Sequence, residues 1–248
     1  MVGGDSCASS KKAISFIYEW ALNTMEIDEA AMDFEIIHSD NEIIVVNKPS
    51  GLPVLPDGWE KDAPYLVKLL EETFGKIWIV HRLDKVTSGV IVFARTAEAH
   101  RALNIQFEKH EAQKIYHAIM VGVPEWEERI AMHPLRVNVG HKHRTAVDLK
   151  AGKDSETRFK VLNRCSSHVL VEAILLTGRT HQIRAHAYAV GHPLLGDILY
   201  SAPETDLISR PALHAFKLTI MHPTTGAQVS FTTLYPNDFS KALERLIL

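Results

Sequence analysis

Two short apolar runs, Ile77-Trp78-Ile79-Val80 and Val90-Ile91-Val92-Phe93, bracket the polar stretch His81-Arg82-Leu83-Asp84-Lys85-Val86-Thr87-Ser88-Gly89. Apolar runs this short, bounded by turn residues, read as buried strands. The loop between them is therefore held by the core at both ends, which is where a fold places reactive groups. It sets one carboxylate, Asp84, between two cations, Arg82 and Lys85, and ends in a tight Thr-Ser-Gly turn. On these residues alone Asp84 reads either as a structural ion pair or turn cap, or as a reactive group, since perturbed carboxylates serve both ends.

The same punctuation runs along most of the chain. Asp40-Asn41 reads as a turn, Glu42–Val46 as a strand, and Asn47-Lys48-Pro49-Ser50-Gly51 as a loop. Leu66, Leu69, Leu70 and Phe74 recur on one helical face, with Pro64 placed where a first turn tolerates it. Thr96 is the expected N-cap of a helix reaching Glu108, and Lys114–Val121 alternates as a strand. Strand-like pieces follow at Arg136–Val139, Thr145–Leu149, Thr157–Leu162 and Val169–Leu176. Thr180 is the expected cap of a helix to Val190, on which His181, Arg184 and Tyr188 share a face. Strands Leu213–Met221 and Val229–Thr233 and a helix from Asp238 close the chain. Many strands with a few interspersed helices mean an α+β fold with a mixed, mainly antiparallel sheet. Residues 1–32 read as an N-terminal extension with one short amphipathic helix, through Ile14, Ile17, Ala21 and Met25, and 33–248 as the main domain.

Composition narrows the partners. No uncharged apolar stretch approaches the roughly 18 to 20 residues needed to span a bilayer, and no basic segment followed by an apolar core opens the chain. Two cysteines, Cys7 and Cys165, are too few for a disulfide framework, so a reducing cytoplasm is the expected location. The net charge of −3 hides an uneven distribution. Residues 1–42 carry nine acids against two bases, whereas residues 129–164 carry nine bases against three acids. A polyanion responds to such local charge rather than to the net value.

Fourteen histidines invite a metal reading. However, His141-x-His143 is interleaved with Lys142 and Arg144, His181 and His186 are poorly spaced, and no His-Glu-x-x-His or cysteine cluster joins them, so no metal is expected. No phosphate loop, dinucleotide fingerprint or G-x-S-x-G elbow is present. What remains is a lone carboxylate in a cationic loop, a tyrosine on a strand and an arginine-bearing helix. A guanidinium beside an aspartate favours its ionised form and fixes its geometry, as carboxylate attack on a glycosidic carbon requires.

At this point the segments resemble a known family. His81-Arg82-Leu83-Asp84-x-x-Thr87-Ser88-Gly89 looks like the signature of RluA-type RNA pseudouridine synthases. The likeness extends in order through Val45–Gly51, Lys114-x-Tyr116, Leu176-x-Gly178-Arg179-Thr180-His181-Gln182-Ile183-Arg184, His192-Pro193-Leu194-Leu195-Gly196-Asp197-x-x-Tyr200, and Leu213-His214-Ala215 with His222-Pro223. It covers residues 34 to 235. The resemblance implies a pseudouridine synthase fold, with two sub-domains around a central cleft, and isomerisation of uridine in ribosomal or transfer RNA without cofactor or metal. By the same resemblance Asp84 is the nucleophile, Tyr116 stacks on the target base and aids proton transfer, Arg184 is the basic partner of Asp84, and Arg82 helps displace the nucleotide. His81, Lys48, Arg179, His181, Lys142 and Arg144 join Arg82 as candidate RNA contacts, and a monomer is expected. Val86 departs from the acidic or small polar residue often found there, and the residues before Phe34 are too few for the S4 RNA-binding module many members carry. Two other classes stay open at this stage: a non-catalytic RNA binder or chaperone on the same scaffold, and a carboxylate-dependent nucleoside or sugar hydrolase.

Overall fold

The computed structural model describes residues 34–56, 63–140 and 144–247. The amphipathic helix expected within residues 1–32 lies outside them. In chain order the elements are β1 (Glu35–Ser39), β2 (Ile43–Lys48), α1 (Leu66–Phe74), β3 (Trp78–Ile79), β4 (Ser88–Ala94), α2 (Ala97–Glu108), β5 (Gln113–Val121), β6 (Glu128–Ala131), β7 (Leu135–Val139) and β8 (Arg144–Val147). They continue with β9 (Thr157–Arg164), β10 (His168–Leu175), α3 (Gln182–Ala189), a 3-10 turn (Ile198–Tyr200), β11 (Leu213–Met221), β12 (Gln228–Thr232) and α4 (Asn237–Ile247). The bracketed loop emerges as expected, between β3 and β4.

One mixed sheet runs β1-β2-β4-β11-β5-β10-β9-β6, with β3 joined to β4 and β12 to β11; β7 and β8 form a separate hairpin. Its only parallel pair among the described strands is β4 with β11, and that contact is two residues long, His214 opposite Ser88 and Ala215 opposite Gly89. Further along, β11 turns to β12 from Lys217 onward, while β4 takes β3 at Phe93 and Ala94. The sheet thus parts into two halves from this junction. Gly89 is required there: its φ is +114°, and a Cβ would lie 2.2 Å from the Ala215 carbonyl oxygen.

Alternation in β5 shows how the faces are used. Tyr116, Ala118 and Met120 join the main core with β2, β4, α1 and α2, whereas Ile119 on the opposite face packs under Phe239, Ala242 and Leu243 of α4. Thr96 caps α2 as expected, its hydroxyl accepting the Ala99 N–H at 3.1 Å. Two strands were not foreseen. β1, with its half-buried Glu-Ile-Ile-His-Ser run, lacks clean alternation, and β6 is an exposed edge held to β9 by backbone pairing. The helix expected from Thr180 begins later, at Gln182, because His181 adopts a left-handed conformation with φ 53°. Gln182 instead pins the turn: its Oε1 accepts the Thr177 hydroxyl at 2.7 Å and the Arg179 N–H at 3.0 Å, and its Nε2 donates to the Glu156 carbonyl at 2.9 Å.

Candidate active site

Asp84 sits in the loop before β4, close to where the two half-sheets part. The Thr87 N–H closes a tight turn onto the Asp84 carbonyl at 3.0 Å. The loop's outward carbonyls are then tied down from elsewhere: Lys85 by the Gly51 N–H at 2.8 Å and Lys48 Nζ at 3.2 Å, Val86 by the Ser50 hydroxyl at 2.8 Å and Arg210 at 3.4 Å. The Asp84 side chain keeps about a third of its surface exposed, facing a cleft of about 920 Å³. A cleft of that size accepts a nucleotide-sized ligand.

Two expected RNA contacts are fastened by the fold, one of them wholly inside. Lys48 is 0% exposed, and besides Lys85 its ammonium donates to the Pro49 and Leu52 carbonyls, each at 2.8 Å. All three N–H groups are spent on backbone, so Lys48 is a clamp beneath the loop rather than a contact for RNA. Burial, reinforced by the nearby Arg210 charge, draws its pKa down to about 7. His81 faces the cleft but is also fastened inside: its Nε2 accepts the Val92 N–H at 3.2 Å and its ring stacks on Phe107 at 4.6 Å. Burial, with Lys114 adding a like charge, lowers its pKa to about 3, so it stands neutral as an acceptor.

The facing wall comes from β5 and from the segment after β10. Tyr116 is largely buried yet lines the cleft. Burial and then the Asp84 charge push its hydroxyl well above the ordinary phenol value, so it stays protonated. Lys114, two residues earlier on the same face, lines the cleft with its Nζ 5.7 Å from the Phe107 ring, and burial lowers its pKa. Arg184 enters from α3, though its close partner is not Asp84. It holds Asp197 through two 2.7 Å hydrogen bonds, Nε to Oδ2 and Nη2 to Oδ1, with the Tyr200 ring 5.1 Å from its guanidinium. Burial opposes the guanidinium charge, yet Asp197 and, at longer range, Asp84 hold its pKa above the usual value. The side chain closest to Asp84 among the ion pairs is instead His181, whose Nε2 lies 3.8 Å from Asp84 Oδ2.

Arg82 and Arg179 are exposed at the cleft, the latter donating to the Asp154 carbonyl at 3.3 Å. Arg144 lies on the β7–β8 hairpin with its guanidinium 5.8 Å over the Tyr188 ring, and it does not line the cleft; Lys142 lies outside the described residues. Among the described residues no group of three or more His, Cys, Asp or Glu side chains is placed to hold a metal ion, and no helix is long and apolar enough to cross a membrane. Sequence reasoning gave no role to Asp197, Tyr200, Arg210 or Lys114. Asp197, Tyr200 and Lys114 stood within the motifs that carry the family resemblance, which was the available signal.

Residues 42–189 match the family model of RNA pseudouridylate synthases. The dual-specificity RNA pseudouridine synthase RluA of Haemophilus influenzae is 40% identical over 199 residues, 79% of this chain and 91% of that protein. Ribosomal large subunit pseudouridine synthase D of Zymomonas mobilis is 34% identical, over 86% of this chain and 73% of that one. The solved structure of human RNA pseudouridylate synthase domain containing 1 superposes with a TM-score of 0.71 at 28% identity, covering 86% of this chain and 87% of that one. An ionisable carboxylate, a buried aromatic and a fixed guanidinium in one polar cleft fit the chemistry of that family. The chain belongs to the RluA-type RNA pseudouridine synthases and isomerises uridine to pseudouridine in RNA.

Proposed function

We propose that Asp84 attacks the target uridine, that Tyr116 stacks on its base, and that the substrate is a stem-loop of ribosomal or transfer RNA from which that uridine is flipped. The observation that carries this reading is the convergence of Asp84, Tyr116 and Arg184, from three distant segments, on one cleft. Extruding a base costs a few kcal/mol, and stacking on an aromatic face returns about 1–3 kcal/mol per base. Arg82, exposed beside Asp84, fills the gap left in the stack. Arg184, locked by Asp197, contributes a fixed positive field toward Asp84 rather than a direct ion pair. With the glycosidic bond cleaved, the uracil turns in the cleft and rejoins the ribose through C5. The chain works as a monomer in the cytoplasm, its exposed bases Arg129, Arg158 and Lys160 on β6 and β9 supplying phosphate contacts.

Mapping pseudouridines in total RNA from cells with and without the gene tests the target. Specific ribosomal or transfer RNA positions should lose the modification, and an unchanged map would remove the target assignment. Asp84→Asn should abolish isomerisation while RNA affinity is kept; retained turnover would sink the nucleophile. Free uracil or sugar as the product, without pseudouridine, would favour a hydrolase instead.

A further inference from the structure

The reaction needs a proton taken from C5 and one given to N1, and the hydroxyl of Tyr116 is held in its protonated form by burial and the Asp84 charge. In the same cleft, His181 is held in an arrangement that sequence alone gave no reason to expect. Its Nδ1 lies 3.3 Å from the Tyr200 hydroxyl. That hydroxyl donates its single proton to the Thr145 carbonyl at 2.9 Å and accepts the Thr145 N–H at 3.0 Å. Toward His181 it can therefore only accept, which places the imidazole proton on Nδ1 and leaves Nε2 with a bare lone pair. Nε2 faces Asp84 Oδ2 at 3.8 Å, too far for a hydrogen bond, so its acceptor capacity is not spent on the loop. Any atom bonded to or attacked by Asp84 comes within reach of it.

We propose that His181 is a catalytic residue of this isomerisation, its Nε2 taking the C5 proton of the rejoined uracil and returning a proton to N1. The proposal rests on the pseudouridine synthase reading. When C5 has bonded to C1′ and Asp84 has been released, C5 still carries its hydrogen and N1 carries none. Nε2 takes that proton, the C5–H electron pair forms the C5–C6 double bond, and the C6–N1 π pair moves to N1. The imidazolium then protonates N1, so one proton has moved and no oxidant or reductant is involved. The timing follows from charge: while Asp84 is bonded to substrate it is neutral, and on release its negative charge returns 3.8 Å from Nε2, raising the imidazole's proton affinity as the proton must leave. The groups that bear on His181 are Asp84, Arg184, Asp197 and Tyr200; burial lowers its pKa, Asp84 and Asp197 raise it, and Arg184 lowers it, leaving it below the free imidazole value.

His181→Asn is the variant of choice, because Asn tolerates the left-handed backbone at this position. The probe is the RNA whose site the gene deletion erases, synthesised with uridine or with 5-fluorouridine at that position. With uridine, turnover should fall about 100-fold or more, with RNA affinity unchanged, and the acidic limb of the kcat profile below pH 6.5 should move to lower pH. With 5-fluorouridine there is no C5 proton to remove, so rearrangement should proceed at the wild-type rate. Tyr200→Phe, which loses the acceptor for Nδ1, should slow uridine turnover and expose a C5-deuterium isotope effect. Equal slowing on both RNAs, or wild-type turnover with uridine, would overturn the proposal. So would an acidic limb that keeps its wild-type position in His181→Asn. If the wild-type protein modifies no RNA, the underlying functional reading fails first, and the two failures are distinct.

Discussion

Arg184→Met is the substitution whose cost the structure bounds most closely. Arg184 is 5% exposed and Asp197 1% exposed, and two 2.7 Å hydrogen bonds join them. Methionine keeps much of the apolar stem that packs near Tyr200, so the loss is chiefly electrostatic: a carboxylate remains in the interior without its guanidinium. Breaking a buried pair from one side costs about 3–5 kcal/mol, a large share of the roughly 5–15 kcal/mol that stabilises a domain. Exchanging both partners for apolar residues is commonly neutral or stabilising. Arg184→Met with Asp197→Leu should therefore recover most of the loss, with a coupling of about 3 kcal/mol in the mutant cycle. Urea unfolding followed by circular dichroism at pH 7 measures both, provided the slope with denaturant is common to the set. Turnover separates folding from chemistry. If Arg184 supplies the field at Asp84, the double variant stays inactive although stable. A single variant within about 1 kcal/mol of wild type, or a double variant no more stable than Arg184→Met, would refute the reasoning.

Gly89→Ala should cost several kcal/mol and collapse the soluble yield, because its Cβ would meet the Ala215 carbonyl oxygen at 2.2 Å with the backbone already at φ +114°; a thermal midpoint close to wild type would contradict the junction. Lys48→Met should lose about 1.5–3 kcal/mol, the range for hydrogen bonds to a charged group, and lower kcat more than it raises KM. Its salt dependence of RNA binding should be unchanged, whereas a phosphate contact would cut the slope by about one. Acid should weaken the fold before the carboxylates titrate. His214 is fully buried between the Ser88 and Thr233 hydroxyls, and burial, with His117 nearby, lowers its pKa to about 3. The unfolded chain binds a proton near pH 6.5 that the native state refuses. The stability from this group is thus full above 6.5 and drains as pH falls toward 3, by up to about 1.4 kcal/mol per pH unit. His214→Gln should flatten the urea midpoint over that window, and an equally steep midpoint would contradict it.

How far the residues spoke for themselves depended on whether a signal was local. Periodicity gave β11 to the residue and α2 with its Thr96 cap, since a strand's alternation and a helix's capping hydroxyl are written within a few positions. Residue type misled where burial decides the role. Lys48 reads as a contact for a polyanion, yet it feeds three carbonyls under the loop, while His81 lines the cleft with its Nε2 accepting from Val92 of β4. Nothing in a lysine's neighbours announces inward-turned carbonyls, although Pro49, Gly51 and Pro53 hint at a loop that folds back on itself. Arg184 was placed in the correct cleft with the wrong close partner, because Asp197 is thirteen residues away across a turn whose course has no period. His181 was assigned to a helix face on spacing alone, whereas its left-handed backbone takes it off that helix and turns it toward Asp84.

The junction of β4 and β11 explains why these far-separated residues meet. Asp84 precedes β4, while Tyr116 lies on β5 and His181 and Arg184 follow β10, so the cleft draws its two walls from the two half-sheets. A continuous flat sheet would pair β4 with β11 along their whole lengths and close the space between those walls. Two residue pairs hold them together, and the strands then take other partners. Gly89 permits the backbones to approach that closely, and Ser88 beside it is bonded to His214 of β11 and to Arg210, itself tied to Asp238 of α4. The loop bearing Asp84 is thereby referenced to the opposite half-sheet through Ser88, His214 and Arg210, buried groups that do not line the cleft. Precision at the carboxylate depends on this distant bracing as much as on the loop's own sequence, because misplacing a reacting group by about 1 Å can cost two orders of magnitude in rate.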